Sequence, residues 1–417
     1  MEYGRRDSPD REDAVARHTQ KAFRFKNAAR NRPSAGSTGP MTSTTDLSSF
    51  AALRVAVVGD LIADRYIHAE PKAVSREAPV MVLRHRSEHL GAGGAANVAR
   101  NALALGARVR ILGAVGRDRH GRELVNILAA DGADTEAIQF LDGWDTPTKT
   151  RVLAAEARRS PRQVLRLDRD PGAPPPAEWR VELASQVRAL AGEVDVLLVS
   201  DYAYGTVGRE LGAAALSAVA TATVVLDPRV SLTHFKAAGE HCGLAAATPN
   251  QGELALFAGV PTPSLDCDEA LARAAQAVRA ELGCRHLLVT RGNRGMALFG
   301  ADGGNLFVPI SGSGEVTDVC GAGDTAAAVF ALALAAGTGA PEAMVMANAA
   351  SGRVVMENGA VVCTPQALVA ALEQAPRPRG YSGEADGVAA AQAKLAAVGV
   401  GEGPGRVLRN ASGGGGA

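Results

Sequence analysis

The sequence has no surplus of either charge: Lys+Arg and Asp+Glu each total 44 in 417 residues. Nothing in that balance points to nucleic acid or a membrane surface as a partner. Cysteine is scarce. Its five copies, Cys242, Cys267, Cys284, Cys320 and Cys363, show no CxxC spacing. An odd, scattered set argues against a disulfide framework or a zinc site and fits a reducing, cytoplasmic compartment. The eight histidines form no HxxxH pair. Long apolar runs are missing too: the longest, near Ala326, is too short to span a bilayer. The first residues contain no apolar core of a secretory signal, and no internal repeat is found.

What is present reads as one large folded region with two tails. Hydrophobic residues make up 47% of the chain, ordinary for a globular protein. Residues 1–50 are polar and charge-mixed, so we expect a disordered extension, or an upstream start ahead of Met41. Residues 375–417 begin with a Pro-Arg-Pro-Arg stretch and end Gly-rich, as a disordered, linker-like tail does. Between them, at 51–374, strand and helix signals alternate. Short β-branched runs at 54–59, 108–115, 194–200, 223–226, 244–248 and 287–290 predict buried strands. Helices are expected at 90–106, 121–131 and 178–190. Residues 296–299 and 305–309 read as an antiparallel pair. Segments 66–89 and 148–168 alternate polar and apolar residues, predicting a small sheet with one wet face. The alternation argues for a largely parallel sheet covered by helices on both faces, a three-layer α/β/α fold with a β lid.

Polar residues recur where strands end. Asp60, Asp201, Asp227, Asn250 and Thr290 each sit at or just after an apolar strand. Any one of them reads equally well as a helix cap or turn former. In an open α/β sheet, ligands bind beyond the carboxyl ends of strands, so the series predicts a site at one edge.

Thr317-Asp318-Val-Cys-Gly321-Ala322-Gly323-Asp324-Thr325 has a further peculiarity. An alanine-rich helical run follows it at once, so Gly321, Ala322 and Gly323 stand at a helix N-terminus. Free backbone N–H groups and the positive end of the helix dipole make that a place for an anion. Asp324 puts a carboxylate beside it. A substrate hydroxyl between the two would reconcile them, with Asp324 taking its proton and the amides stabilising a transferred phosphoryl group. The dipole is expected to favour the ionised carboxylate. The plainer alternative is a Gly-rich turn with an N-terminal capping Asp.

This stretch resembles the C-terminal signature of the ribokinase-like (PfkB) sugar kinases, and the resemblance extends over roughly residues 53 to 373. It implies Asp324 as catalytic base and Gly321, Ala322 and Gly323 as the anion hole. Gly59-Asp60-Leu-Ile-Ala-Asp64 resembles that family's first strand, which assigns sugar hydroxyls to Asp64. Gly93, Gly94 and Asn97 match a sugar-contacting element, and Asp60 and Asp201 join the substrate set from their strand ends. Gly91-Ala-Gly93-Gly94-Ala-Ala96 also imitates a dinucleotide fingerprint. The acidic residue such a fold needs at the end of the next strand is lacking, however, since that strand ends Leu112-Gly-Ala-Val115. Asn250-Gln251-Gly252-Glu253 resembles the family's Asn-x-x-Glu element, implying ATP and Mg2+, the latter held by Glu253 through water. The same residues equally suit a capping box. Thr290 and Gly292 resemble a nucleotide-contacting turn, Asn348 the adenine-lining helix, and Asp318 a position near a monovalent cation such as K+.

Within the family, further segments resemble the heptose 7-phosphate kinases, whose domain forms the first part of bifunctional ADP-heptose synthases. They include Ser75-Arg-Glu-Ala-Pro-Val80, Thr148-Lys149-Thr-Arg151-Val152, Val164-Leu-Arg166-Leu-Asp168 and Ser200-Asp201-Tyr202. A substrate phosphorylated at one end needs cations there, and Lys149, Arg151 and Arg166 on the lid are expected to supply them. Basic residues on exposed strands also serve simply to guard an edge. Tyr204 stands where relatives usually carry Lys. No second α/β domain follows Glu373, so the expectation is phosphorylation without nucleotidyl transfer. The resemblance further implies a homodimer formed through the lids. The alternatives are a kinase for another sugar, sugar phosphate or nucleoside, and a non-catalytic sugar- or nucleotide-binding relative.

Overall fold

Thirteen strands and nine α-helices follow one another among the described residues of the computed structural model, which are 47–155, 161–235, 243–312, 319–357, 359 and 361–380. The expected disorder of residues 1–46 and 381–417 falls outside them. The strands are β1 (Arg54–Gly59), β2 (Leu61–Val74), β3 (Met81–Gly94), β4 (Arg108–Gly116), β5 (Ile138–Leu141), β6 (Thr148–Ala154), β7 (Arg162–Arg169), β8 (Val196–Ser200), β9 (Thr223–Asp227), β10 (Ala246–Ala247), β11 (His286–Thr290), β12 (Met296–Gly300) and β13 (Asn305–Val308). The helices are α1 (Ala95–Ala104), α2 (Arg119–Ala130), α3 (Ala177–Ala189), α4 (Arg209–Ser217), α5 (Gln251–Ala258), α6 (Asp268–Leu282), α7 (Ala322–Ala335), α8 (Ala340–Val354) and α9 (Pro365–Glu373).

Nine strands form one sheet in the order β13-β12-β11-β10-β9-β8-β1-β4-β5. Its neighbours pair parallel from β5 through to β11, and only β12 runs against the rest. Strands buried on both faces need continuous apolar sequence, which is why 54–59 and 196–200 are β-branched and Leu-rich. Helices α1, α7, α8 and α9 pack together on one face. The pairs α3–α4 and α5–α6 form the other layer. Helix α7 is apolar on every side and its middle is fully buried, with alanines allowing close approach to α1 and α8.

Strand order reverses between β8 and β1, and a crevice opens beyond the carboxyl ends at such a point. The second sheet, β3-β2-β6-β7, rises from there because β2 begins directly after β1. Residues 90–94 do not open a helix as expected. They continue β3, Gly94 pairing with Leu61 and Gly91 with Asp64, and α1 starts only at Ala95. The register of β2 fixes this: its first residues require a partner strand right up to the crevice. Ordered chain also passes the 51 and 374 limits. A 3-10 turn at Leu47–Ala52 buries Phe50, and Arg379 exchanges two backbone hydrogen bonds with Phe307.

Candidate active site

Asp324 is the third residue of α7 and only 3% exposed. Gly321 precedes the helix at φ 78°, a left-handed conformation that suits glycine. A Cβ there would also lie 2.5 Å from Asn97 Nδ2. Among the described residues, no backbone acceptor meets the N–H groups of Gly323 and Asp324, and Ala322 N–H makes only a long 3.4 Å contact to Val319 O. The helix start thus presents donors, as the sequence suggested.

Each oxygen of Asp324 is held by one side chain. Asn97 Nδ2 donates to Oδ2 at 2.8 Å and the Tyr202 hydroxyl to Oδ1 at 2.7 Å. Burial pushes the Asp324 carboxyl up to about 6, while the two donors pull it down and nearby Asp64 raises it. Desolvation is the largest cause, because the group is so deeply enclosed. At neutral pH the carboxylate remains mostly ionised. Asn97 Oδ1 is buried with no donor among the described residues, which suits a ligand hydroxyl.

Asp64 projects from β2 toward β6. Arg151 Nη1 donates to its Oδ1 at 2.6 Å, and both side chains are 8% exposed. The guanidinium also lies over the Tyr66 ring, 5.4 Å from its centroid. A Cβ on Gly93 would come within 2.7 Å of Asp64 Oδ2, so glycine leaves room for that carboxylate. Burial raises Asp64, and Arg151 pulls it back, with Lys149 and Arg166 in electrostatic reach. Burial disfavours charge on Arg151, but Asp64 more than compensates and holds it above its ordinary value. The sequence reading gave Arg151 to a substrate phosphate; in the fold it is the counter-ion of Asp64.

Lys149 and Arg166 remain near the cleft, and Asp168 holds both. Lys149 Nζ is 3.2 Å from Asp168 Oδ2 and 3.0 Å from the Tyr204 hydroxyl. Arg166 grips Asp168 with two bonds, of 2.8 and 2.5 Å.

Asp60 and Asp201 are a correction. Asp60 accepts from the backbone N–H groups of Tyr202, Tyr204 and Thr206 at 2.8, 3.1 and 3.1 Å. Asp201 accepts from those of Ala203, Arg229, Val230 and Ser231 at 2.8 to 3.0 Å. Both are buried with their oxygens occupied by loop backbone. The turn-forming reading of strand-end acids holds for these two, whose carboxylates hold loop amides in place of the substrate role expected of them.

On the other flank, Asn250 and Glu253 form a full capping box at the start of α5, with bonds of 2.9 and 2.8 Å. Glu253 Oε1 lies 3.4 Å from Arg229. Gly252 follows Asn250 in that first turn. Gln251 points elsewhere, to Arg294 and Asp266 at 2.6 and 3.1 Å, so its side chain ties α5 to the loop before α6. Thr290 bridges Asn250 through its backbone, and Gly292 turns the chain at φ 56°. The Asn348 amide donates to Pro309 O at 2.9 Å, fixing the segment after β13. Asp227 at the end of β9 accepts from Thr248 at 2.8 Å. Burial, then Asp324 and Glu253, push its carboxyl well above the usual range. Asp318 lies outside the described residues.

Two residues went unassigned in the sequence reading: Tyr202, which grips Asp324, and Arg229, which faces Glu253. Position alone carried a signal, since Tyr202 directly follows the strand-end Asp201.

Solved structures share this architecture. Arabidopsis thaliana ribokinase complexed with ribose and ATP superposes with a TM-score of 0.56 at 20% identity, covering 76% of this chain and 98% of its own. Escherichia coli phosphofructokinase-2 in complex with substrates and products gives 0.60 at 20%, covering 76% and 96%. Such low identity speaks for the fold alone, which is ribokinase-like. The chain belongs to the pfkB family of carbohydrate kinases: the family profile, pfkB family carbohydrate kinase, matches residues 52–367. It is accordingly a phosphotransferase acting on a sugar hydroxyl. Among curated relatives, bifunctional protein HldE of Azorhizobium caulinodans is 38% identical over 323 residues, covering 77% of this chain and 64% of the relative. The Halorhodospira halophila protein of that name is 38% identical over 344 residues, covering 82% and 68%. The chain thus spans about two thirds of the length of these relatives.

Proposed function

We propose that the protein transfers the γ-phosphoryl group of MgATP to the anomeric hydroxyl of D-glycero-D-manno-heptose 7-phosphate, giving the 1,7-bisphosphate. One observation carries the choice of acceptor. Lys149 and Arg166 stand in electrostatic reach of Asp64, and Asp64 in reach of Asp324. A sugar held by Asp64 would thus present one end to the base and the other to two cations. The HldE relatives support the same branch of the family.

In this reading Asp324 takes the proton of the attacking hydroxyl. The amides of Ala322, Gly323 and Asp324 receive charge that develops on the phosphoryl group. Asp64, Asn97 and the backbone at Gly93 and Gly94 hold the sugar. Asn250, Glu253, Thr290, Gly292 and Asn348 border the nucleotide. Among the described residues, no three His, Cys, Asp or Glu side chains gather to hold a bare ion. That would fit magnesium carried mainly by phosphates and water, with Glu253 placed to hold one of its waters. Magnesium, when bound, neutralises charge on the phosphates.

The outward side of the lid supports a second copy as partner. Leu165 and Leu167 on β7 are 58% and 64% exposed, and Val74 and Met81 at the β2–β3 tip 72% and 58%. Lid-to-lid pairing would cover such an apolar surface. Cys267 and Cys363 are free thiols, in keeping with a cytoplasmic site of action. No helix among the described residues is long and apolar enough to cross a membrane.

A phosphorylation screen with ADP detection tests the acceptor. Heptose 7-phosphate should be turned over with kcat/KM at least about 100-fold above ribose, fructose phosphates and nucleosides, a preference of about 2.7 kcal/mol. Preference for another acceptor would overturn the substrate, and ligand binding without ADP release would overturn the kinase reading.

A further inference from the structure

We infer that Tyr202 is a positioning residue for the base: its hydroxyl fixes Asp324 and sets the pH at which that carboxylate can accept a proton. The inference rests on the reading of Asp324 given above.

Ala203 is the one non-glycine residue at positive φ among the described residues, at 65°. A residue with a Cβ persists there only when its surroundings over-determine it, and such outliers cluster where function needs them. The surroundings here are two buried carboxylates. Asp60 takes the N–H groups of Tyr202, Tyr204 and Thr206, and Asp201 takes that of Ala203. Every amide of the turn from 202 to 204 is therefore held by an acid, although burying those acids is itself costly. A connecting loop does not need this.

The turn delivers two phenols. Tyr202 donates to Asp324 Oδ1 at 2.7 Å, and Tyr204 meets Lys149 at 3.0 Å on the lid. The first contact bears on the chemistry. Asn97 alone would leave the carboxylate free to swing about its Oδ2 bond. With Tyr202 on the other oxygen, the carboxylate plane is fixed and each oxygen keeps a lone pair for a substrate proton. The phenol can only donate here: burial and the neighbouring Asp324, Asp227 and Asp64 hold it neutral. Donation to the charged form favours ionised Asp324 and opposes the burial that raises it. The titratable groups facing Asp324 among the described residues are Asp64 from β2, itself paired with Arg151, and Asp227 from β9. Neither donates to it, and among the described residues Asn97 and Tyr202 supply the side-chain hydrogen bonds to the carboxylate.

The test is the Tyr202→Phe variant, which removes one oxygen and keeps the ring. Turnover is followed against pH with MgATP and the acceptor that the screen identifies, alongside a 13C titration of labelled aspartate carboxyls assigned with Asp324→Asn. The acidic limb of kcat/KM, and the Asp324 resonance, should move up by about one pH unit. The loss should be about fivefold at pH 6 and nearly vanish by pH 8. Incorporating 3-fluorotyrosine at position 202, a stronger donor, should move both the other way. A limb and a resonance that stay in place, with or without a uniform loss of rate, would overturn the inference. Thermal melting and ATP binding separate that result from misfolding, and the titration gives an answer even without an acceptor. If Asp324→Asn itself keeps its turnover, the base assignment fails instead.

Discussion

Arg151 and Asp64 face each other at 2.6 Å, a buried ion pair that ties lid strand β6 to the strand emerging from the crevice. Among the described residues, each is the other's direct ion-pair partner, with Lys149 and Arg166 further off. Removing one partner strands a charge, at a cost of about 3–5 kcal/mol. Arg151→Met should lower the urea midpoint by that equivalent. Adding Asp64→Leu should restore most of the stability while leaving the protein inactive. Additive losses in the double variant would show that the pair is not a unit.

Gly93 sets the space in which Asp64 stands. Gly93→Ala places a Cβ 2.7 Å from Oδ2 and must push the carboxylate aside. We expect KM for the sugar to rise at least tenfold, about 1.4 kcal/mol, with KM for ATP within twofold. Steady-state kinetics with each substrate varied in turn checks this.

The enclosure of Asp324 has a cost in stability with a defined pH window. Its folded value of about 6 lies above the ordinary 3.8, so the folded state binds more protons between them. Stability is therefore lost as pH rises from about 4 to about 6, by about 3 kcal/mol in all. Asp324→Asn escapes this. Its melting temperature should exceed the parent's by a few degrees at pH 8 and match it near pH 4. Equal melting at both pH values would contradict the buried, strained carboxylate.

Leu165 and Leu167 offer the readiest test of the lid surface. Leu165→Asp with Leu167→Asp should shift a dimer to monomer by light scattering, with far-UV circular dichroism unchanged. An unchanged mass would place the partner elsewhere or nowhere.

Much of this was legible before the fold was known, and for physical reasons. Buried parallel strands need apolar runs, so β1, β8 and β11 showed plainly in the sequence. Glycines before an alanine helix have few uses, so the start of α7 was found as well. Side-chain direction was not legible. Asp60 and Asp64 look alike in sequence, four residues apart, yet one holds a loop and the other faces Arg151. Nothing local separates them; the difference arises where Asp64 has turned onto β2 and Asp60 has not. Arg151 was misread for a similar reason, since an Arg on a half-exposed strand normally points to water. Tyr202 was missed because its partner lies 122 residues away. The upward push on Asp324 was not legible, because sequence gives no measure of burial.

The most direct test measures ADP release by Asp324→Asn with MgATP and heptose 7-phosphate, beside ATP binding by the same protein. We predict a loss of turnover of at least about a thousandfold, about 4 kcal/mol of barrier, with ATP affinity within threefold of the parent. Turnover near the parent's would show that some other group takes the proton.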